Sequence, residues 1–132
     1  FTVLVVHMKA DAAVASYDRR ARAARVLKDY LDDRADTEPV LVIGDWNDDL
    51  DTSQTRGWIS PYAPFVDDAD RYLFPTEVFS PRDLRTHVAV RVPLDHHLAT
   101  RAAARRYLRG SAEILRPDRY IPDFAETTSD HY

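Results

Sequence analysis

The hydrophobic positions along the chain change period several times, and the changes divide it into elements. Thr2 to Val6 is an unbroken run of β-branched and leucine side chains ending at His7. Such a run reads as a strand buried on both faces, with a polar residue at its C-terminal mouth. From about Ala15 to Arg34 the positions Tyr17, Ala21, Ala24, Leu27 and Leu31 recur every three or four residues, with Arg20, Arg22, Arg25 and Lys28 largely on the remaining face. This spacing predicts an amphipathic helix. Thr37, Glu38 and Pro39 interrupt it, and Val40 to Ile43 forms a second short apolar strand closed by Gly44. Two strands joined by a helix of this length lie parallel with a right-handed crossover, so His7 and Asp45 are expected at the same end of one sheet.

Beyond this unit the pattern weakens. Residues 50 to 84 carry Pro61, Pro64, Pro75 and Pro81 without a sustained period, and read mostly as loop with short helical or strand pieces. Loops of that length commonly build or cover a site. Thr86 to Val92 alternates weakly, and Leu94 to Thr100 reads as a strand bearing Asp95 at its start. Arg101 to Arg109 reads as a helix stopped by Gly110, and Ser111 to Leu115 as a last strand.

Composition narrows the class. With 132 residues, 45% of them hydrophobic, the chain can build one hydrophobic core, which excludes a disordered protein. No apolar run approaches the roughly 20 residues that cross a bilayer, so no integral membrane segment is expected. The opening FTVLVVH is too short and too uncharged for a signal peptide. Phe1 already stands inside a strand-like run, which predicts a chain lacking an N-terminal part. Zero cysteines exclude disulfides and thiolate metal sites and leave the compartment open.

A net charge of −4 argues against a broadly basic, polyanion-holding surface, but the charges are unevenly spread. Acids crowd at Asp45, Asp48, Asp49 and Asp51, and again at Asp67, Asp68 and Asp70, while arginines gather at 19–25 and 101–119. The arginine groups read as solvated faces. Asp48, Asp49 and Asp51 read as a solvated acidic loop, with a second cation site as the alternative. A cation bound among the acids would reverse the local sign.

Four strings, VVHMKA, VLVIGDWND, PLDHHLAT and TTSDHY, occur in that order from residue 3 to residue 132. The series resembles the successive signatures of the endonuclease/exonuclease/phosphatase superfamily, the group of deoxyribonuclease I, abasic-site endonucleases, bacterial sphingomyelinases and inositol polyphosphate phosphatases. The resemblance implies an α/β fold: the C-terminal half of a four-layer sandwich, with mixed β-sheets face to face and helices outside. Residues 1–132 would then be the C-terminal part of one domain. The family's N-terminal half, which supplies an Asn and a metal-binding Glu, has no match here.

The resemblance also implies roles. Asp130 is similar to a metal ligand, and His131 to the general base that acts on the attacking water. Asp95 resembles the carboxylate that orients that imidazole and stabilises its protonated form. Asp45 resembles the residue that contacts the cation or the nucleophile, Asn47 the donor to a phosphoryl oxygen, and His7 the histidine that binds phosphate or protonates the leaving group. Oxygen ligands suit Mg²⁺ first, then Mn²⁺ or Ca²⁺. The implied activity is metal-dependent phosphodiester hydrolysis, with nucleic acid as the substrate and a phospholipid or phosphorylated small molecule as the alternative. A catalytically incomplete piece acting as a binding module is the competing class.

Plainer readings stand beside these. Asp45 and Asn47 after Gly44 also fit an Asx turn that ends a strand, and His7 fits a hydrogen-bonded surface histidine. His96 and His97 are adjacent strand residues that point to opposite faces, so they cannot share one ion. Trp46 and Trp58, which could stack on a base, read as core filling or loop anchors.

Overall fold

The computed structural model describes residues 1–82 and 84–132, so that Asp83, within the expected loop, lies outside the described residues. Strand β1 (Thr2–His7) leads into helix α1 (Val14–Asp32) and strand β2 (Val40–Asp45), as the periodicity predicts. A short helix α2 (Ala63–Val66), strand β3 (Tyr72–Leu73), a 3₁₀ segment (Pro75–Arg82) and strand β4 (Asp95–Thr100) follow. The chain closes through helix α3 (Arg101–Ala104), a 3₁₀ turn (Pro117–Arg119) and helix α4 (Phe124–Thr127). No helix among the described residues is long and apolar enough to cross a membrane.

The strands form one mixed sheet in the order β1-β2-β4-β3. β1 and β2 are parallel, with His7 opposite Asp45, and β4 runs antiparallel to β2, with Asp95 opposite Asp45. Two strand ends and one strand beginning therefore share a row. The second sheet of the expected sandwich is not among the described residues.

Parity along the strands separates two faces. Leu4, Val6, Val40, Val42 and Leu98 join α1 residues Ala24, Leu27 and Leu31 in the core with Trp46, Tyr62, Phe65, Tyr72 and Phe74. Trp46 is fully buried, stands edge-on to Tyr62 with ring centroids 4.9 Å apart, and donates from Nε1 to the carbonyl of His96 at 2.9 Å. It fills the core, whereas Trp58 is partly exposed and rests on Tyr17 at 4.7 Å between ring centroids. The other sheet face is open: Phe1, Pro39, Leu41, Ala99 and Tyr107 line a hollow of about 510 Å³.

Several expectations are corrected. β1 is an edge strand, not one buried on both faces; α1 covers one side only, and Val5 on the other is 76% exposed. The helix expected over 101–109 stops at Ala104, because only Ala102 of its turn reaches the core and one buried contact per turn does not sustain a helix. Residues 111–115 form no strand, and 86–92 contributes only an isolated bridge between His87 and His131.

The acidic loop is corrected too. Asp48 and Asp49 are buried rather than solvated, while Asp51 is exposed. Arg20, expected on the solvated face of α1, has a fully buried side chain paired with Asp48 at 2.9 Å. Asp48 is then saturated by Ser53 Oγ at 2.8 Å, Gln54 N at 2.7 Å and Asp49 N at 3.1 Å. That leaves it no oxygen for a second cation.

Candidate active site

Strand register assembles the first part of the site. Gly44, with φ of +133°, allows β2 to pass close to the Val6 carbonyl, where any Cβ would collide. The chain then turns. Asp45 Oδ1 accepts a hydrogen bond from Asn47 N at 2.8 Å, an Asx turn, and Asn47 adopts a φ of +52° that asparagine tolerates. Asn47 Nδ2 donates to Asp45 Oδ2 at 2.7 Å and to the Met8 carbonyl at 3.2 Å, tying the ends of β1 and β2 together. The plain Asx reading and the functional one thus describe the same turn.

Around Asp45 lie two imidazoles. His7 Nε2 is 3.3 Å from Asp45 Oδ2, and its side chain is 76% exposed. His131 Nε2 is 3.8 Å from the same oxygen. The other ring nitrogen of His131, Nδ1, is 2.7 Å from Asp95 Oδ2. A carboxylate on Nδ1 fixes the ring's tautomer and directs the Nε2 lone pair outward, toward Asp45 and solvent. Five of the six residues singled out in the sequence are therefore joined by contacts of 3.8 Å or less.

The sixth, Asp130, precedes His131 and stands 3.4 Å from His87 Nε2. Among the described residues, His87, Asp130 and His131 are the one group of three side chains whose ligand atoms lie within 4.8 Å of one another, and Asp45 stands outside it. His87 escaped sequence reasoning, since a lone THV carries no motif and the bridge that brings it here is two residues long.

The electrostatics follow from burial and neighbours. Burial pushes the Asp45 carboxyl up; the Asn47 amide and the two imidazoles only partly offset that, and the nearby Asp95 adds to it. Burial works to depress His131, but the hydrogen bond to Asp95 and the charges of Asp95, Asp45 and Asp130 outweigh it and hold the imidazole above its ordinary value. His96 is different. It is buried between Thr76 Oγ1 and the Asp48 carbonyl, each at 3.1 Å, and burial depresses it to about 4. His97 faces the other way and is exposed, so the two histidines share no ligand, as their parity predicts.

A carboxylate-held imidazole beside a second carboxylate, at the end of a mixed α/β sheet, is equipped to move a proton to or from a bound water. A profile of the Endonuclease/Exonuclease/phosphatase family matches residues 2–131, and the chain belongs to that family. The family contains hydrolytic enzymes that cleave phosphoesters. No curated protein and no solved structure matches the chain.

Proposed function

We propose that this chain carries most of the active site of a divalent-metal-dependent phosphodiester hydrolase that cleaves nucleic acid. One observation carries the reading. The Asp95 carboxylate lies 2.7 Å from His131 Nδ1, while the opposite ring nitrogen is directed at the row formed by Asp45 and His7. His131 takes a proton from the attacking water through Nε2, and Asp95 stabilises the imidazolium that results. Asn47 donates to a phosphoryl oxygen by exchanging its 3.2 Å bond to the Met8 carbonyl for one to the substrate. His7, the most exposed of the group, hydrogen-bonds the phosphate or protonates the departing alkoxide.

The donor set fits a hard cation. Asp130 and Asp45 offer carboxylate oxygens, and a cation such as Mg²⁺ takes one or two carboxylates and fills its other positions with water and substrate phosphate. Mn²⁺ or Ca²⁺ would use the same oxygens. Bound there, the ion supplies positive charge to the phosphoryl oxygens. On this reading the open apolar face of the sheet is covered by the N-terminal part of the same domain, which also brings the family's Glu. The chain alone then turns over little or no substrate.

Nucleic acid is favoured over lipid by the surroundings. Arg82, Arg85, Arg116 and Arg119 line a cleft of about 460 Å³. Arg116 also stacks over the Tyr132 ring at 4.1 Å, next to His131. Four guanidiniums around one cleft, with Glu113 also in its lining and Arg116 paired with Asp118 at 2.6 Å, suit a substrate with several phosphates. The test is a Mg²⁺-dependent assay of the complete protein against plasmid DNA, RNA and sphingomyelin in parallel, with His131→Ala as control. Nucleic-acid cleavage that drops at least about 100-fold in the variant is expected. Cleavage of sphingomyelin alone rejects the nuclease reading, and unchanged turnover in the variant removes the mechanism.

A further inference from the structure

His87 belongs to no recognised motif, yet it touches both members of the terminal Asp130–His131 pair. Its ring lies edge-on to that of His131, with centroids 4.8 Å apart and planes at 83°. The segment that carries it also fixes the pair's backbone. Val88 N donates to the Asp130 carbonyl and Tyr132 N to the Thr86 carbonyl, both at 2.8 Å. Thr86 Oγ1 in turn accepts from Leu94 N and Asp95 N, both at 3.0 Å. One short stretch therefore sets the height of Asp95 and of His131 together.

The proximity of His87, Asp130 and His131 invites a metal site made of two imidazoles and a carboxylate. The hydrogen bonds of His87 argue against it. Its Nδ1 accepts from Ala89 N at 3.0 Å and from Val90 N at 3.2 Å. A ring nitrogen that accepts two N–H bonds carries no hydrogen, so the ring's proton is on Nε2, the atom that faces Asp130. A protonated nitrogen is not a ligand. It is a donor, 3.4 Å from Asp130 Oδ2, and the 66% exposed Asp130 side chain has room to turn and close that gap.

The geometry points to His87 as a positioning residue: its Nε2–H holds one carboxylate oxygen of Asp130 so that the other is presented to the cation. This rests on the functional reading above and adds a residue to it. Metal-binding carboxylates are held by such outer hydrogen bonds, and losing one costs about 10- to 100-fold in metal affinity.

Two substitutions separate the two ends of the ring. His87→Asn keeps an acceptor where Nδ1 accepts from Ala89 and Val90 but removes the donor to Asp130. His87→Gln keeps a donor near Nε2 but removes the acceptor. In the full-length protein, Mn²⁺ binding read by electron paramagnetic resonance should weaken about 10- to 100-fold in His87→Asn and stay within about threefold of wild type in His87→Gln. Turnover of His87→Asn should return at saturating Mg²⁺, which a general loss of structure would not allow. Equal affinity in His87→Asn and wild type overturns the inference and leaves the functional reading standing. Equal loss in both variants makes His87 a ligand and overturns it as well. A wild type that binds no Mn²⁺ sinks the functional reading and this inference with it. Independently of any variant, long-range ¹H–¹⁵N spectra of the wild type should find the His87 proton on Nε2; a proton on Nδ1 refutes the proposal.

Discussion

Replacing Arg20 by leucine tests how the site is held rather than how it reacts. The Arg20 guanidinium donates from Nε to Asp48 Oδ2 at 3.0 Å and from Nη1 to the carbonyls of Lys9 at 2.7 Å and Asp11 at 2.8 Å. It therefore clamps the loop leaving β1 to the loop leaving β2, the two segments that carry His7 and Asn47. The size of the effect depends on which groups water can reach once the arginine is gone. Lys9 and Asp11 are exposed, so their carbonyls find water and cost little. Asp48 is wholly buried and cannot. Three donors remain to it, but its counter-charge does not, and breaking a buried pair in this way costs about 3–5 kcal/mol.

Set against a total stability of about 5–15 kcal/mol for a domain, that is a large fraction. Chemical denaturation should register it directly, and thermal unfolding should show a fall of roughly 10–20 °C. Arg22→Leu is the control. Arg22 is exposed and makes one long bond, 3.3 Å to the Asp18 carbonyl, so its loss should stay within about 0.5 kcal/mol. A decrease below about 1 kcal/mol in Arg20→Leu, or equal effects at both positions, would refute the argument that the buried pair fastens these loops.

Other outcomes follow from the same contacts. Burial pushes the Asp49 carboxyl up to about 6. The folded state thus holds the proton more tightly than the unfolded one, and stability falls as pH rises from the ordinary 3.8 toward 6, by at most roughly 3 kcal/mol. Asp49→Asn keeps an acceptor for Ser80 Oγ and should flatten that decline in denaturation curves; an unchanged slope counts against it. Asp95→Asn, which removes the charge beside His131 while sparing the fold, should lower turnover of the complete protein by about 10²–10⁴-fold. Gly44→Ala should cost at least about 2 kcal/mol and reduce soluble yield, because φ of +133° and the Val6 carbonyl leave no place for a methyl group. Chelation should abolish hydrolysis by the complete protein and added Mg²⁺ restore it; activity that survives chelation contradicts a metal-held phosphate.

The contrast between Arg20 and Arg22 also marks where the sequence is legible. Residues 19–25 hold four arginines, and composition treats them alike as a solvated face. Helical phase does not. Tyr17, Arg20, Ala24, Leu27 and Leu31 follow a spacing of three, four, three and four, so Arg20 sits on the apolar stripe. A charge there needs a buried partner, but which of the many aspartates supplies it depends on a loop 28 residues away. Strand identity is legible for β1 and β2, which are apolar runs ended by polar residues, and less so for β4, whose DHHLAT opens on three polar residues. Burial is not legible, since an edge strand and a central strand share one composition, and only the sheet order separates them. The failures after Thr100 have a common cause. Arg101 to Leu115 offers few core contacts, and tertiary support, rather than local pattern, decides whether such a segment becomes helix, strand or neither.

The site inherits this difference. Its sheet half, the His7–Asp45–Asp95 row, is fixed by register: parallel pairing brings the ends of β1 and β2 level, and antiparallel pairing brings the beginning of β4 to meet them. Asp45 and Asp95, fifty positions apart in sequence, become cross-strand neighbours for that reason alone. The terminal half has no strand beneath it. Asp130 and Tyr132, on either side of His131, are held by two backbone hydrogen bonds to Val88 and Thr86, and Thr86 is held by its bonds to Leu94 and Asp95, in a stretch that alternates too weakly to declare itself. A base must stand within a fraction of an ångström of its water, whereas an isolated bridge is easily displaced. Substitutions in 86–88 should therefore reach the chemistry sooner than equally disruptive ones on the open face of β1, although the former touches no motif and the latter ends in one.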